Sequence, residues 1–138
     1  IIEPTQKRIA FLSRLLQLLE IDDIKLLPER AEDVAVQYLE KFDLVTARAV
    51  ARLNILVELC MPFVKIKGTL IAMKGALYAE EMKEAKNAIL TMGGSVTGIN
   101  TYHLPNDSGV RALIKIHKEK PNSKKYPRNF SQIKKKPL

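Results

Sequence analysis

An arginine stands where an apolar stretch of the sequence gives way to a helical pattern, at a position suited to binding a ligand. The stretch comprises residues 42–53 and reads FDLVTARAVARL. Its first apolar residues favour a strand, and Arg48 follows where that strand should end. Because ligands of open α/β sheets bind just beyond the carboxyl ends of the strands, Arg48 is a candidate ligand-binding residue. A strand-end arginine paired with a carboxylate is the alternative.

Polar residues also follow two other predicted strands. Glu3 ends an apolar pair at the start of the chain, and its carboxylate could accept hydrogen bonds from ribose hydroxyls in a nucleotide-binding sheet. Ala31 and Glu32 follow the apolar run 24–27. Since parallel strands end at one edge of a sheet, these three residues and Arg48 predict a single ligand site. Taken alone, Glu3 could instead be an exposed acid near a helix start.

No set of side chains predicts acid–base, metal or nucleophilic chemistry. His103 and His117 have no cysteine or second histidine at ligand spacing, so structural or surface positions are expected for both. Cys60 lies on an apolar helical stripe and is therefore expected in the core. A reactive thiol would need cationic neighbours, which the sequence around Cys60 does not supply. The sequence contains no Walker loop, nucleophile elbow or glycine-rich nucleotide loop.

The elements that must position these residues alternate between strand and helix. Strands are predicted at 1–3, 24–27, 42–46 and 69–73, helices at 5–20, 33–40, 53–64 and 82–92, and a closing hairpin at 95–104 and 111–117. Pro62 should kink or end the third helix. The turn residues between the hairpin strands are Pro105, Asn106, Asp107 and Gly109. This order predicts an α/β fold with a mostly parallel sheet and one antiparallel strand.

The net positive charge of the chain comes almost entirely from its tail. Of the 23 basic residues, eight fall within 118–138, where there is one acid, and the net charge of the whole chain is +8. A basic tail on a nearly neutral body predicts a polyanionic partner, and nucleic acid is favoured over membrane because the tail has no amphipathic apolar face. Tyr126 and Phe130 lie among these cations and could stack on exposed bases. The alternative is a solvated tail that aids solubility.

Composition predicts one α/β domain, residues 1–118, followed by a flexible tail, residues 119–138. The single cysteine favours a reducing compartment, and no apolar run approaches the length of a membrane span, so a cytoplasmic location is expected. The chain begins with an apolar pair typical of a strand interior, which suggests a missing upstream segment. Since such a sheet would have unpaired edges, self-association is expected.

Several segments resemble the GidB/RsmG family of S-adenosylmethionine-dependent methyltransferases, which modify N7 of a guanosine in bacterial small-subunit ribosomal RNA. They are TARAVARL, AMKG, KKYPR and the closing KKKPL, together with IIEPTQKRIAFL and PERAEDVA, in the family's order. The resemblance covers essentially the whole chain and corresponds to the later part of the family's sequence. It implies a class I, Rossmann-like methyltransferase sheet that lacks its first strand and the glycine-rich first motif.

The resemblance also implies roles for individual residues. Glu3 would meet the ribose of S-adenosylmethionine, Ala31 and Glu32 its adenine side, and Arg48 would be the cofactor-site arginine. The residues implied to face RNA are Lys74, Lys124, Lys125 and Arg128. The family's tail often carries a glycine after Tyr-Pro-Arg, whereas this chain continues with Asn129, Phe130 and Ser131. The detailed conformation of the tail is therefore not implied.

The absence of catalytic acids and bases agrees with the chemistry implied by the resemblance. N7 of guanine carries a lone pair and no proton, so methyl transfer there requires in-line positioning and a polar site and no general base. Three other interpretations remain open at this point. They are an RNA-binding remnant without its cofactor half, a nicotinamide-dependent oxidoreductase, and a piece of a longer protein observed alone.

Overall fold

The computed structural model describes residues 1–105 and 109–138 and contains a four-stranded mixed sheet. The strands are β1 (Phe42–Arg48), β2 (Val64–Lys74), β3 (Gly94–His103) and β4 (Val110–Lys118), in the order β1-β2-β4-β3. β1 pairs with β2 in parallel, and β4 pairs with both β2 and β3 antiparallel. The α/β class and the closing hairpin are confirmed. Of the predicted turn residues, Asn106 and Asp107 lie outside the described residues.

Six α-helices are present in the described part of the chain. They are α1 (Gln6–Leu18), α2 (Ala31–Val34), α3 (Leu53–Cys60), α4 (Tyr78–Glu84), α5 (Lys86–Thr91) and α6 (Phe130–Lys135). The third predicted helix ends at Cys60, because Pro62 lies in a 3-10 turn, Met61–Phe63, that leads directly into β2. The predicted helix 82–92 is two short helices that meet at Ala85. The helix predicted at 33–40 starts two residues earlier and is regular for only one turn.

β2 begins five residues before its predicted start, and Gly68 makes this possible. A Cβ at Gly68 would lie 2.8 Å from the carbonyl oxygen of Asp43 on β1. The pairing of the two strands is irregular at this point, between Phe42 and Leu44. Gly68 therefore lies inside the strand, where it allows a close approach of the two backbones.

The two strands predicted first, 1–3 and 24–27, form one parallel bridge between Ile2 and Leu27. The backbone N–H of Leu27 donates to Ile1 at 2.8 Å, and that of Glu3 donates to Leu27 at 3.1 Å. The bridge is not part of the sheet, and β1 is an edge strand within the described part of the chain. A groove lined by both the bridge and β1 separates them.

The main core lies between the sheet and the helices α3 and α5. Its fully buried residues include Leu53, Leu56, Met61, Leu70, Met92, Ile114 and Ile116. Met82 and Cys60 are partly buried against this cluster, which agrees with the core position predicted for the cysteine. Gly93 follows α5 with a φ of +70°, a left-handed conformation that favours glycine and is typical of a helix end.

The C-terminal segment packs onto this core, which differs from the flexible tail expected from its charge. Ile133 of α6 is fully buried, and Tyr126 and Leu138 contact the main core. Asn129 caps α6 by accepting from the N–H of Gln132 at 2.9 Å. The reason is that the segment carries enough apolar and hydrogen-bonding groups to offset the conformational entropy lost when it becomes ordered. Its sequence did not indicate this, because its apolar residues follow no helical or strand periodicity.

Lys118, counted with the basic tail in the sequence, is fully buried at the end of β4. Its ammonium donates to the carbonyl of Met61 at 2.9 Å and lies 3.1 Å from the carboxylate of Glu40. Burial lowers the pKa of Lys118, and the hydrogen bond with Glu40 opposes this change. Lys118 is therefore an internal link between strand, loop and 3-10 turn and does not contribute to the surface charge.

Candidate functional site

A groove of about 670 Å³ brings together the residues that sequence analysis assigned to one ligand site. Glu3, Ala31, Glu32 and Arg48 all line it, from the first bridge, the start of α2 and the end of β1. The volume falls within the range of small-molecule and cofactor sites. The expectation that polar residues at three strand ends lie around one space therefore agrees with the geometry, although their roles in binding remain predictions.

Glu3 presents an ionised carboxylate to this groove. One carboxylate oxygen accepts from the backbone N–H of Thr5 at 2.8 Å, and the other accepts from Arg8 at 3.1 Å. Hydrogen bonding from Thr5, and then from Arg8, holds the pKa of Glu3 below its ordinary value. Because a carboxylate offers about four acceptor positions, two remain for hydroxyl groups of a ligand.

Arg48 lies between the groove and a second, smaller space. It ends β1 and is exposed, and among the described residues no carboxylate forms an ion pair with it. The alternative interpretation of Arg48 as one half of a strand-end ion pair therefore has no partner in the described part of the chain. The next residue, Ala49, has a φ of +54° and lines both spaces as well.

The smaller space is a cavity of about 270 Å³ at the ends of β1 and β2, closed by the hairpin of β3 and β4. Arg48, Lys74, Tyr102 and Arg111 supply its polar lining. Tyr102 and Arg111 lie opposite each other in the hairpin register, and the Tyr102 side chain is 44% exposed. Sequence analysis missed both residues. An arginine next to the hairpin turn was the available signal, but its position over β2 depends on long-range strand pairing.

Lys74 has a structural position that the sequence did not predict. Its side chain is only 8% exposed, and its ammonium lies 2.6 Å from the carboxylate of Glu81 and donates to the carbonyl of Ala51 at 2.7 Å. Glu81 also accepts from the backbone N–H of Leu53 at 2.7 Å. The charge of Lys74 is thus used to join the end of β2 to the starts of α3 and α4, and its contact with RNA stays a prediction.

The charge of Arg128, which the resemblance assigns to RNA, is also paired within the chain. Its guanidinium makes a two-pronged contact with Glu58, with Nη2 at 2.6 Å and Nε at 2.8 Å from the carboxylate. Glu58 is fully buried in α3, and its hydrogen bonds raise the pKa of Arg128. By contrast, Lys124 and Lys125 are exposed, as predicted for residues that meet a polyanion.

Cys60 lines the groove and is partly buried, and this burial affects the acidity of its thiol. Desolvation raises the pKa of Cys60 to about 12. We expect alkylation of the native protein by iodoacetamide at pH 8 to be roughly a thousandfold slower than in denaturant, because the thiolate fraction is lower by about that factor. Mass spectrometry of timed samples measures both rates. Equal rates in the two states would contradict the burial of this thiol.

The structure offers no alternative chemistry at this site within residues 1–105 and 109–138. Neither His103, on β3, nor His117, on β4, lines the groove or the cavity. In the same described ranges, His, Cys, Asp and Glu side chains form no group of three that could hold a metal ion. None of the helices in this part of the chain has the length and apolar character needed to cross a bilayer.

Comparisons with known proteins agree with the sequence resemblance. The sequence model of a family described as rRNA small subunit methyltransferase G (GidB) matches residues 1–110. The chain is 48% identical over 140 residues to Ribosomal RNA small subunit methyltransferase G of Geobacillus kaustophilus and 45% identical over 139 residues to that of Staphylococcus aureus. Each match covers 100% of this chain but 59% and 58%, respectively, of the relative. The chain therefore spans less than two thirds of the length of these relatives.

Several solved structures have a similar fold at low sequence identity. An rRNA methylase from Streptococcus thermophilus matches with a TM-score of 0.61 and 14% identity, over 86% of this chain and 72% of that chain. Aeropyrum pernix fibrillarin in complex with S-adenosyl-L-methionine matches with a TM-score of 0.62 and 13% identity, over 83% and 53%. These similarities establish the fold that the sequence predicted.

Proposed function

The chain belongs to the rRNA small subunit methyltransferase G family, and from this membership we propose that it transfers a methyl group from S-adenosylmethionine to N7 of a guanosine in bacterial small-subunit ribosomal RNA. The observation that carries the proposal is the position of Arg48 and Ala49, which line both the groove and the cavity. A cofactor in the groove and a nucleotide in the cavity would meet at the end of β1. Methyl transfer between two bound reactants requires such an arrangement.

The groove has groups that fit S-adenosylmethionine. Glu3 supplies acceptors for the two ribose hydroxyls, and Ala31 and Glu32 form the side assigned to the adenine. Arg48 supplies a cation at the border of the groove, where it can bind the carboxylate of the cofactor's amino-acid part. The side chain of Glu32 is 9% exposed, with Arg30 at 4.0 Å, so its position is well defined.

The proposed reaction explains why a proton-transfer group is unnecessary. S-adenosylmethionine supplies a methyl group on a sulfonium sulfur, which the N7 lone pair takes up while the electron pair of the broken bond returns to sulfur. The residues of the chain then need only to bind, orient and exclude water. Arg111 and Tyr102 in the cavity suit this role, because arginine can donate to O6 of guanine and leave N7 free, and tyrosine stacks on unpaired bases.

The exposed lysines of the C-terminal segment are the proposed contacts to the RNA backbone. They are Lys120, Lys124, Lys125, Lys134, Lys135 and Lys136, all of which are exposed. Lys74 and Arg128 are not included, because their charges are used in internal ion pairs. Lysines that neutralise phosphates release counterions, so binding through this surface should weaken steeply as salt is raised.

The proposal is tested by methyl transfer to small ribosomal subunits from a bacterium that lacks its own member of the family. Two proteins are compared, the chain itself and a fusion in which the chain follows the N-terminal segment of the Geobacillus kaustophilus relative. We expect the fusion to incorporate labelled methyl groups at one guanosine, mapped by strand cleavage at N7-methylguanosine. The chain alone shows whether the described groove is sufficient.

Two results would separate the proposal from its alternatives. Salt-sensitive RNA binding without methyl incorporation by either protein would favour the RNA-binding remnant. Binding of a nicotinamide cofactor in place of S-adenosylmethionine would favour the oxidoreductase.

Light scattering of the chain alone tests the separate expectation of self-association, which a monodisperse monomer would contradict.

A further inference from the structure

An aromatic residue of the C-terminal segment lines the same groove as the proposed cofactor residues. Phe130, the first residue of α6, lies on the groove with Arg30, Ala31 and Glu32. The guanidinium of Arg30 lies 5.8 Å from the centre of the Phe130 ring. Arg30 immediately precedes Ala31, so Phe130 lies at the end of the groove formed by the start of α2.

The C-terminal segment holds this ring in place from both sides. On one side, Arg128 is bound to the buried carboxylate of Glu58, and its backbone N–H donates to the same carboxylate at 3.1 Å. On the other side, Asn129 caps the helix and Ile133 is buried in full. Because these contacts fix the backbone around position 130, little backbone entropy is lost there when a ligand binds.

From this geometry we infer that Phe130 is a cofactor-binding residue, which forms an aromatic wall for the adenine of the nucleoside in the groove. The inference rests on the proposed function and adds to it a residue from the C-terminal segment. An aromatic ring suits this place because purines stack on aromatic faces, while Glu3 supplies the acceptors that a ribose needs.

The structure also gives Phe130 a different role from the base stacking with RNA considered for it in the sequence. Tyr126, the other aromatic residue of this segment, is half-buried against the main core, with Lys125 and Arg128 near its ring. The two aromatic residues thus have separate environments. Only Phe130 among them lines the groove, so the inference applies to it alone.

The test is a calorimetric titration with S-adenosylhomocysteine as the probe, carried out on the chain and on the fusion. We expect Phe130→Ala to weaken binding about tenfold, the size of effect found when a stacking aromatic is removed. Phe130→Tyr should bind as the parent does, and Phe130→Leu should be intermediate, since leucine retains apolar volume without a stacking face. Ser131→Ala, at the exposed neighbouring position, is the matched control and should not change the affinity.

The possible outcomes separate this inference from the proposed function. Equal affinities for the parent and for both Phe130→Ala and Phe130→Leu would overturn the role of Phe130 and leave the proposed function intact. A parent that binds no probe, as chain and as fusion, would contradict the proposed function and with it the inference. Thermal unfolding of each variant shows whether a loss of affinity comes from unfolding. If Phe130→Ala unfolds, the comparison of Phe130→Leu with Phe130→Tyr decides the question.

Discussion

Replacement of Arg48 by alanine is expected to lower kcat/KM for methyl transfer by about a hundredfold or more, with little change in stability. A positioned charge in a site that excludes water contributes this much when it orients reactants or stabilises developing charge. Arg48 lines both the groove and the cavity, so its loss affects donor and acceptor together. It is exposed and has no ion-pair partner among the described residues, so the fold should not depend on it.

Three measurements make this expectation specific. The fusion and its Arg48→Ala variant are compared for kcat/KM on small ribosomal subunits, for affinity towards S-adenosylhomocysteine, and for the midpoint of thermal unfolding. Arg48→Lys should recover only part of the activity, because an ammonium lacks the planar fork of a guanidinium. Arg14→Ala, which removes an exposed arginine of α1, is the control and should behave as the parent. Activity of Arg48→Ala within about twofold of the parent would contradict the central position given to this residue.

The position of Arg48 could be predicted because the relevant signals are local. A strand pattern followed by a helical pattern marks the carboxyl end of a strand, and parallel strand ends share one edge. The same argument placed Glu3, Ala31 and Glu32 beside it, and all four residues line one groove. The bounds of the elements were less predictable. β2 starts early because Gly68 lets two backbones approach closely, and this contact is invisible in the sequence of β2 alone.

The second half of the site depends on contacts between distant parts of the chain. Tyr102 and Arg111 reach the cavity because β4 pairs with β2 and carries β3 with it. The hairpin itself was predicted from its turn residues, but the neighbour of β4 in the sheet was not. Nothing in the local pattern around Arg111 indicates that it lines the same cavity as Lys74 and Arg48.

The predictions of exposure failed mainly for charged residues, because a lysine or arginine in a polar segment is expected to lie on the surface. Lys118 is buried and Arg128 is partly buried, and their carboxylate partners are Glu40 and Glu58. One signal was present in the sequence: Glu58 lies in the apolar stretch Leu56–Leu59, where a buried acid would require a cation. The partner it requires is 70 residues away, so the sequence indicates the need for a cation but not its identity.

The ion pair between Glu58 and Arg128 should therefore be a strong test of the fold of the C-terminal segment. Arg128→Ala is expected to lower the free energy of unfolding by about 3–5 kcal/mol, because the fully buried carboxylate of Glu58 would keep only one backbone donor. The midpoint of thermal unfolding should fall by roughly 10 °C or more. Circular dichroism during heating and urea unfolding measure the two quantities. Lys125→Ala, at an exposed position three residues earlier, is the matched control and should unfold as the parent does.

The two variants should affect different properties, Arg128→Ala the stability and Lys125→Ala the RNA affinity. The comparison therefore separates a structural role from a contact with RNA. Lys125→Ala is expected to leave stability unchanged and to reduce the salt dependence of RNA affinity by about one counterion. A second replacement, Glu58→Met in the Arg128→Ala protein, should restore part of the lost stability, because it removes the buried charge that had lost its partner. If Arg128→Ala instead unfolds as the parent does and loses RNA affinity as Lys125→Ala does, the segment is not held by Glu58. Arg128 would then belong with the exposed lysines, as its sequence context first suggested.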